Sequence, residues 1–187
     1  MYILKNICIV LLLALMAASM AQKISAQTLK HRLGTAAGEL KIVQLDKGQL
    51  GNQFAITLND KIVLKTNGED GTSQFSETPV PEILKYVQKE IAPFDEVVVF
   101  QQHMWGNACN GGPIWFLGLR KNGSFQVSKH IEFCGGKDPI VKVGVDKITI
   151  VIPGGPPNRG SGYIPGETWV YQNGDVRQVK ARAKQRK

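Results

Sequence analysis

The sequence predicts a mainly β protein, an antiparallel meander forming a sandwich or partly open barrel, and three observations carry that prediction. Short runs of β-branched and aromatic residues recur from Glu39 to Val179. Two-residue turn signals separate them, among them Asn59-Asp60, Asn122-Gly123 and Asn173-Gly174. Only one stretch, residues 82–91, carries apolar residues at helical spacing: Ile83, Leu84, Val87 and Ile91, between Pro81 and Pro93. A short helix is expected there.

The elements follow in order. Leu40 to Leu45 is an apolar run before Asp46-Lys47-Gly48, and Phe54–Leu58 with Lys61–Lys65 reads as a hairpin. Val97–Phe100 and Ile114–Leu119 have the composition of buried strands, and Phe125–Ile131 returns toward Cys134. Ile140–Val145 and Ile148–Ile152 read as a second hairpin, with a turn at Asp146-Lys147. Thr168–Tyr171 and Val176–Val179 close the domain across Gln172 to Asp175. A weak internal echo joins the last two regions. Gly111-Gly112-Pro113 leads to Trp115 and then Asn122-Gly123, as Gly154-Gly155-Pro156 leads to Trp169 and then Asn173-Gly174. Two copies support a meander and do not make a repeat array, which needs three.

The organisation expected is a signal peptide at 1–21, a flexible leader at 22–38, one β-rich domain at 39–179 and a basic tail at 180–187. The signal reading rests on Lys5, an uninterrupted apolar run of 12 residues from Ile7 to Ala18, and the small residues Ser19 and Ala21. That run is too short for a membrane span, which needs ~20 residues. Cleavage after Ala26 is the alternative. No transmembrane segment is expected after processing, and the compartment implied is periplasmic or extracellular.

Charge points the same way. The formal net charge is +8, but residues 177–187 hold six basic residues and no acid. Residues 22–176 carry 16 basic against 15 acidic residues. The near-neutral body presents no basic face for nucleic acid, so the tail is read as solvated. Two cysteines outlast the signal, Cys109 and Cys134. In an oxidising compartment they read as one disulfide closing a loop of about 24 residues, worth roughly 3.5 kcal/mol on the chain-entropy model.

Catalytic and cofactor motifs fail on inspection, and no cofactor is expected. Gly155 to Ser161 has phosphate-loop glycine spacing but no lysine, and Pro156 and Pro157 delete the amides that would cradle phosphate. Gly160-Ser161-Gly162 lacks the spacing of a nucleophile elbow. His103 and His130 near the two cysteines make a weak alternative metal set, against which stand the redox compartment and the spacing. Asp95 and Glu96 are adjacent and would face opposite sides of a strand, which is wrong for a glycosidase pair.

What remains is a surface. Loops 103–113 and 153–166 are long and rich in Gly and Pro, and long loops on a rigid scaffold carry function. Trp115 and Trp169 on the flanking strands are read as core. Trp105, Tyr163 and Arg159 in the loops are the candidate binding residues, since aromatics stack on sugars or anchor proteins. The function expected is an exported envelope protein, a binding or inhibitor-type module recognising a protein or glycan. The alternative is an envelope hydrolase that uses a His/carboxylate or metal site, a concave pocket gathering His103, His130 and an acid such as Glu132.

Overall fold

A computed structural model describes residues 28–45, 54–65, 81–102, 111–132, 137–157 and 160–179. These residues form three antiparallel sheets of four strands each, every sheet a meander of consecutive strands. The first contains β1 (Thr28–Thr35), β2 (Gly38–Gln44), β3 (Phe54–Leu58) and β4 (Lys61–Lys65). The second contains β5 (Glu82–Val87), β6 (Glu96–Gln101), β7 (Ile114–Leu119) and β8 (Phe125–Val127). The third contains β9 (Ile140–Val143), β10 (Ile148–Ile152), β11 (Glu167–Gln172) and β12 (Asp175–Gln178). The expected β class holds, in a sandwich-like form with one layer more than a simple pair. Among the described residues no helix is long and apolar enough to cross a membrane.

The second sheet is the middle layer. Val98, Phe100, Trp115, Leu117 and Leu119 pack with Leu40, Ile42, Ile56 and Leu58 of the first sheet. Their neighbours Val97, Val99, Ile114 and Phe116 pack with Ile148, Ile150, Ile152 and Tyr171 of the third. Burial on both faces explains why β6 and β7 read as unbroken apolar runs, whereas β10 alternates buried and half-buried residues. Phe116 and Tyr171 stack face to face across the second interface, with centroids 4.5 Å apart.

Two sequence expectations are corrected. Residues 82–91 do not form a helix: β5 pairs with β6 from Glu82↔Gln101 to Val87↔Val97. The cause is a bulge at Leu84, where the register skips between Ile83 and Lys85. Ile83 and Tyr86 therefore face the first sheet, while Leu84 and Val87 face the third. A two-faced strand with one extra residue imitates the i, i+1, i+4 pattern of a helix. Ile91 and Phe94 then exchange backbone hydrogen bonds in a tight turn containing the cis Ala92–Pro93 bond. Second, the expected leader at 22–38 overlaps β1, which pairs with β2 along Thr28↔Gln44 to Thr35↔Gly38. The signal segment and the basic tail lie outside the described residues.

The turns order the stack. In each meander the first-to-second and third-to-fourth turns fall at one end, and the second-to-third connection falls at the other. The Ala36 amide, between β1 and β2, donates to Glu96 Oε2 at the start of β6 at 2.8 Å. Lys89, between β5 and β6, donates to Gly144 O in the β9–β10 turn. Gln126 Nε2 near the β7–β8 turn donates to Gly174 O in the β11–β12 turn at 3.3 Å. All three sheets thus share one turn end. Roughly 20 Å away, at ~3.3 Å per strand residue, is a loop end, where the chain leaves and re-enters β2–β3, β6–β7 and β10–β11.

Candidate functional site at the loop end

Both Gly/Pro-rich loops singled out in the sequence begin and end on this loop end. Loop 153–166 is built on a stem. Past Ile152↔Glu167, the last pair of the β10–β11 ladder, Gly155 N donates to Ile164 O at 3.1 Å and Ile164 N to Gly155 O at 2.8 Å. The crossing between them is too tight for side chains. A Cβ on Gly154 would lie 2.4 Å from the Tyr163 hydroxyl and 2.7 Å from both Gly166 N and Ile164 O. Glycine is needed there because backbones approach closely. Gly160 and Gly162, at φ +87° and +123°, turn the chain back toward Tyr163. Tyr163 itself is 70% exposed, with its hydroxyl lying back against Gly154 of the hydrogen-bonded stem. Trp105 and Arg159, its expected companions, lie outside the described residues, as do His103, Cys109 and Cys134.

The middle sheet supplies the floor. Trp115, in β7, is 1% exposed, as the core reading expects. Trp169, the other strand tryptophan, is half-buried against the core shared with the third sheet, and its Nε1 donates to Glu167 Oε2 at 2.8 Å. Beyond β8 the chain returns to β7 through a single bridge, Ile131 with Ile114. That bridge sets His130 edge-on to the Trp115 ring, at 6.2 Å between centroids and 60° between planes. It also places Glu132 beside His130, with Oε1 3.0 Å from Nε2. His130 and Glu132 are therefore in contact, and His103, the other histidine of that expectation, lies outside the described residues. Glu132 is largely solvated, its side chain 79% exposed, which weakens the pair electrostatically. A carboxylate on one imidazole nitrogen fixes the ring and leaves Nδ1 for a second partner.

Sequence reasoning missed Gln101 and Gln102. They end β6, are 1% and 2% exposed, and leave Gln101 Oε1 and Gln102 Nε2 without hydrogen-bond partners. Trp115 Nε1 is unpartnered as well. Gln101 is paired with Ile114, and the Gln102 amide donates to Pro113 O at 3.1 Å, so all three orphan atoms belong to the loop end of the middle sheet. A buried amide without a partner costs about 1–3 kcal/mol. The available signal was two glutamines closing a Val-Val-Val-Phe run beside a glycine-rich loop. Among the described residues no group of three or more His, Cys, Asp or Glu could hold a metal ion. No protein-family model matches the chain, and no curated protein or solved structure matches it.

Proposed function

We propose that this chain is an exported, disulfide-stapled binding module of the cell envelope that takes a protein or glycan at the loop end. The observation that carries the reading is positional. Loops 103–113 and 153–166 are rooted at the same end of the stack, away from the turns that tie the sheets together, and one of them carries Tyr163, 70% exposed and seated against a hydrogen-bonded stem. A pre-organised aromatic loses little conformational freedom on binding, which favours it as an anchor. The signal-like start supports export. The bridge between Ile114 and Ile131 supports the disulfide: Cys109 lies five residues before one partner and Cys134 three residues after the other.

Pull-down with the purified protein from envelope extract tests the reading. A partner recovered by wild type and lost from Tyr163→Ala and Trp105→Ala, with unchanged circular dichroism, supports it. Equal recovery by both variants overturns it. One observation favours the hydrolase alternative, the 3.0 Å His130–Glu132 contact at the same end. Release of soluble fragments from envelope glycan, abolished in His130→Ala, would favour that alternative instead.

A further inference from the structure

Six strands are edge strands in the three sheets, and five of them are blunted. β1, β4 and β5 each carry one extra residue in their ladders, at Lys30, Val63 and Leu84. β8 has three residues, and β12, as short as β9 at four residues, carries two charges, Asp175 and Arg177, where β9 carries one, Lys142. Bulges, shortness and charge are the means by which sheet edges avoid pairing with other chains. β9 differs. It pairs with β10 in unbroken register, Val143↔Ile148 to Ile140↔Val151. Ile140 is 48% exposed, Val143 38% and the adjoining Val145 88%, so three of the eight exposed large hydrophobics among the described residues sit on this strand and its turn.

The hydrogen-bond phase says which atoms are available. Gly144 N donates to Lys147 O across the β9–β10 turn. Alternation then directs the backbone of Lys142 and Ile140 toward β10, and turns the N–H and C=O groups of Val141 and Val143 outward.

We propose that β9 pairs antiparallel with β9 of a second copy of this chain, about a two-fold axis through Val141, joining two third sheets into one of eight strands. The register is chosen by the residues. Val141 exchanges two hydrogen bonds with its symmetry mate, and each Val143 N–H donates to Pro139 O of the other copy. Proline ends the pairing where it has no N–H to offer. Lys142 stands opposite Ile140 of the other copy. The two lysines fall on one diagonal, and Asp138 of the other copy answers each from the opposite diagonal. An axis through Lys142 would also pair outward groups, Val141 with Val143 of the other copy, but it would set the lysines directly opposite each other. An isologous contact of this kind closes as a dimer and does not propagate. The contact is built from residues 138–143, so the inference does not rest on the binding reading.

Sedimentation velocity from about 10 µM to about 1 mM tests it, the range suited to an interface smaller than ~800 Å² per partner. The expected result is a concentration-dependent shift from monomer to dimer. Val141→Pro removes an N–H that β10 does not use and suits an edge strand. It should stay monomeric at every concentration while keeping wild-type circular dichroism. Wild type that is monomeric at the highest concentration, or a dimer that survives Val141→Pro, overturns the proposal. Hydrogen exchange on the wild type gives a second reading that needs no variant: the Val141 and Val143 amides should slow at least tenfold between the dilute and concentrated ends, and equal rates overturn it.

Discussion

Gly118 is the last residue but one of β7, buried, with the Phe94 ring lying where a side chain would be. A Cβ added there would stand 2.4, 2.5 and 2.6 Å from Cδ2, Cγ and Cε2 of that ring. Carbon atoms settle at ~3.5–4.0 Å, so Gly118→Ala requires the ring or the strand to shift by about 1 Å. The ring has little room. Phe94 is 1% exposed and its backbone is hydrogen-bonded to Ile91. The Arg120 guanidinium sits 5.1 Å over it while Arg120 Nε donates to Pro93 O at 3.0 Å. On the remaining side a Cβ on Gly174 would already be 3.3 Å from Phe94 Cε2.

Overpacking of this kind costs about 1–3 kcal/mol. Replacing a strand glycine returns about 0.5–1 kcal/mol of chain entropy. Gly118→Ala should therefore destabilise by about 1–2 kcal/mol, measured by urea unfolding with an unchanged slope. For a chain of this size that corresponds to roughly 2–8 °C in Tm. In a Phe94→Ala background the clash is gone, and the same substitution should be neutral or mildly stabilising. A neutral Gly118→Ala in the wild-type background, or an equal cost in both backgrounds, refutes the packing argument.

Two further predictions concern the third sheet. Burial raises the Tyr171 phenol above its ordinary 10.0, so the folded protein stays protonated where the unfolded chain ionises. That stabilisation is unaffected below pH 10 and is lost as pH rises above it, with a slope approaching ~1.4 kcal/mol per pH unit. Tyr171→Phe should flatten this alkaline loss in urea titrations between pH 9 and pH 11, leaving the part due to Tyr86, which is raised first by burial and then by Glu96. Identical alkaline slopes in the two proteins would show that Tyr171 is not the group. At the stem of loop 153–166, Gly154→Ala should push Tyr163 off its seat and part the Gly155–Ile164 bonds. Exchange of those two amides should speed up at least tenfold, with Phe116 and Val99 amides unchanged; unaltered rates at Gly155 and Ile164 would mean that the stem tolerates a side chain.

The turns show what a sequence reveals and where it stops. Asn59-Asp60 takes φ +50° and +63° and Asn173-Gly174 takes +53° and +79°, the left-handed pairs that two-residue hairpins require. Asn122-Gly123 carries the same letters, yet only Gly123, at +82°, is left-handed. There Arg120 N bonds to Ser124 O, and Asn122 Oδ1 accepts from the Ser124 amide and hydroxyl, making a longer loop. The deciding contact is Asp95 Oδ2 accepting from the Lys121 amide at 2.9 Å, 26 residues away, which no local pattern encodes. β1 was missed for a similar reason. Leu33 is the residue of that strand that packs on the core, and the strand follows β2 through backbone pairing and polar contacts such as Arg32 with Glu39, which leave no apolar pattern to read. At the candidate site the loops and Tyr163 were legible because composition marks them. The orphan amides of Gln101 and Gln102 were not, since polarity at a strand end ordinarily means exposure.

The two ends of the middle sheet are built to different standards. At the turn end polar groups are matched, across sheets in Glu96 with the Ala36 amide and within the middle sheet in Asp95 with the Lys121 amide and Arg120 with Pro93 O. Among the described residues, Gln101, Gln102 and Trp115 at the loop end bury three polar atoms without a hydrogen-bond partner, and the fourth such atom, Thr57 Oγ1, lies mid-strand in β3. An apolar residue at position 101 or 102 would continue the Val-Val-Val-Phe run and avoid that cost. Departures from the packing optimum gather where a chain does something besides fold. Among the described residues of this protein, three of the four gather on the end that also carries His130, Glu132 and the roots of both long loops, the end at which we propose that a partner binds.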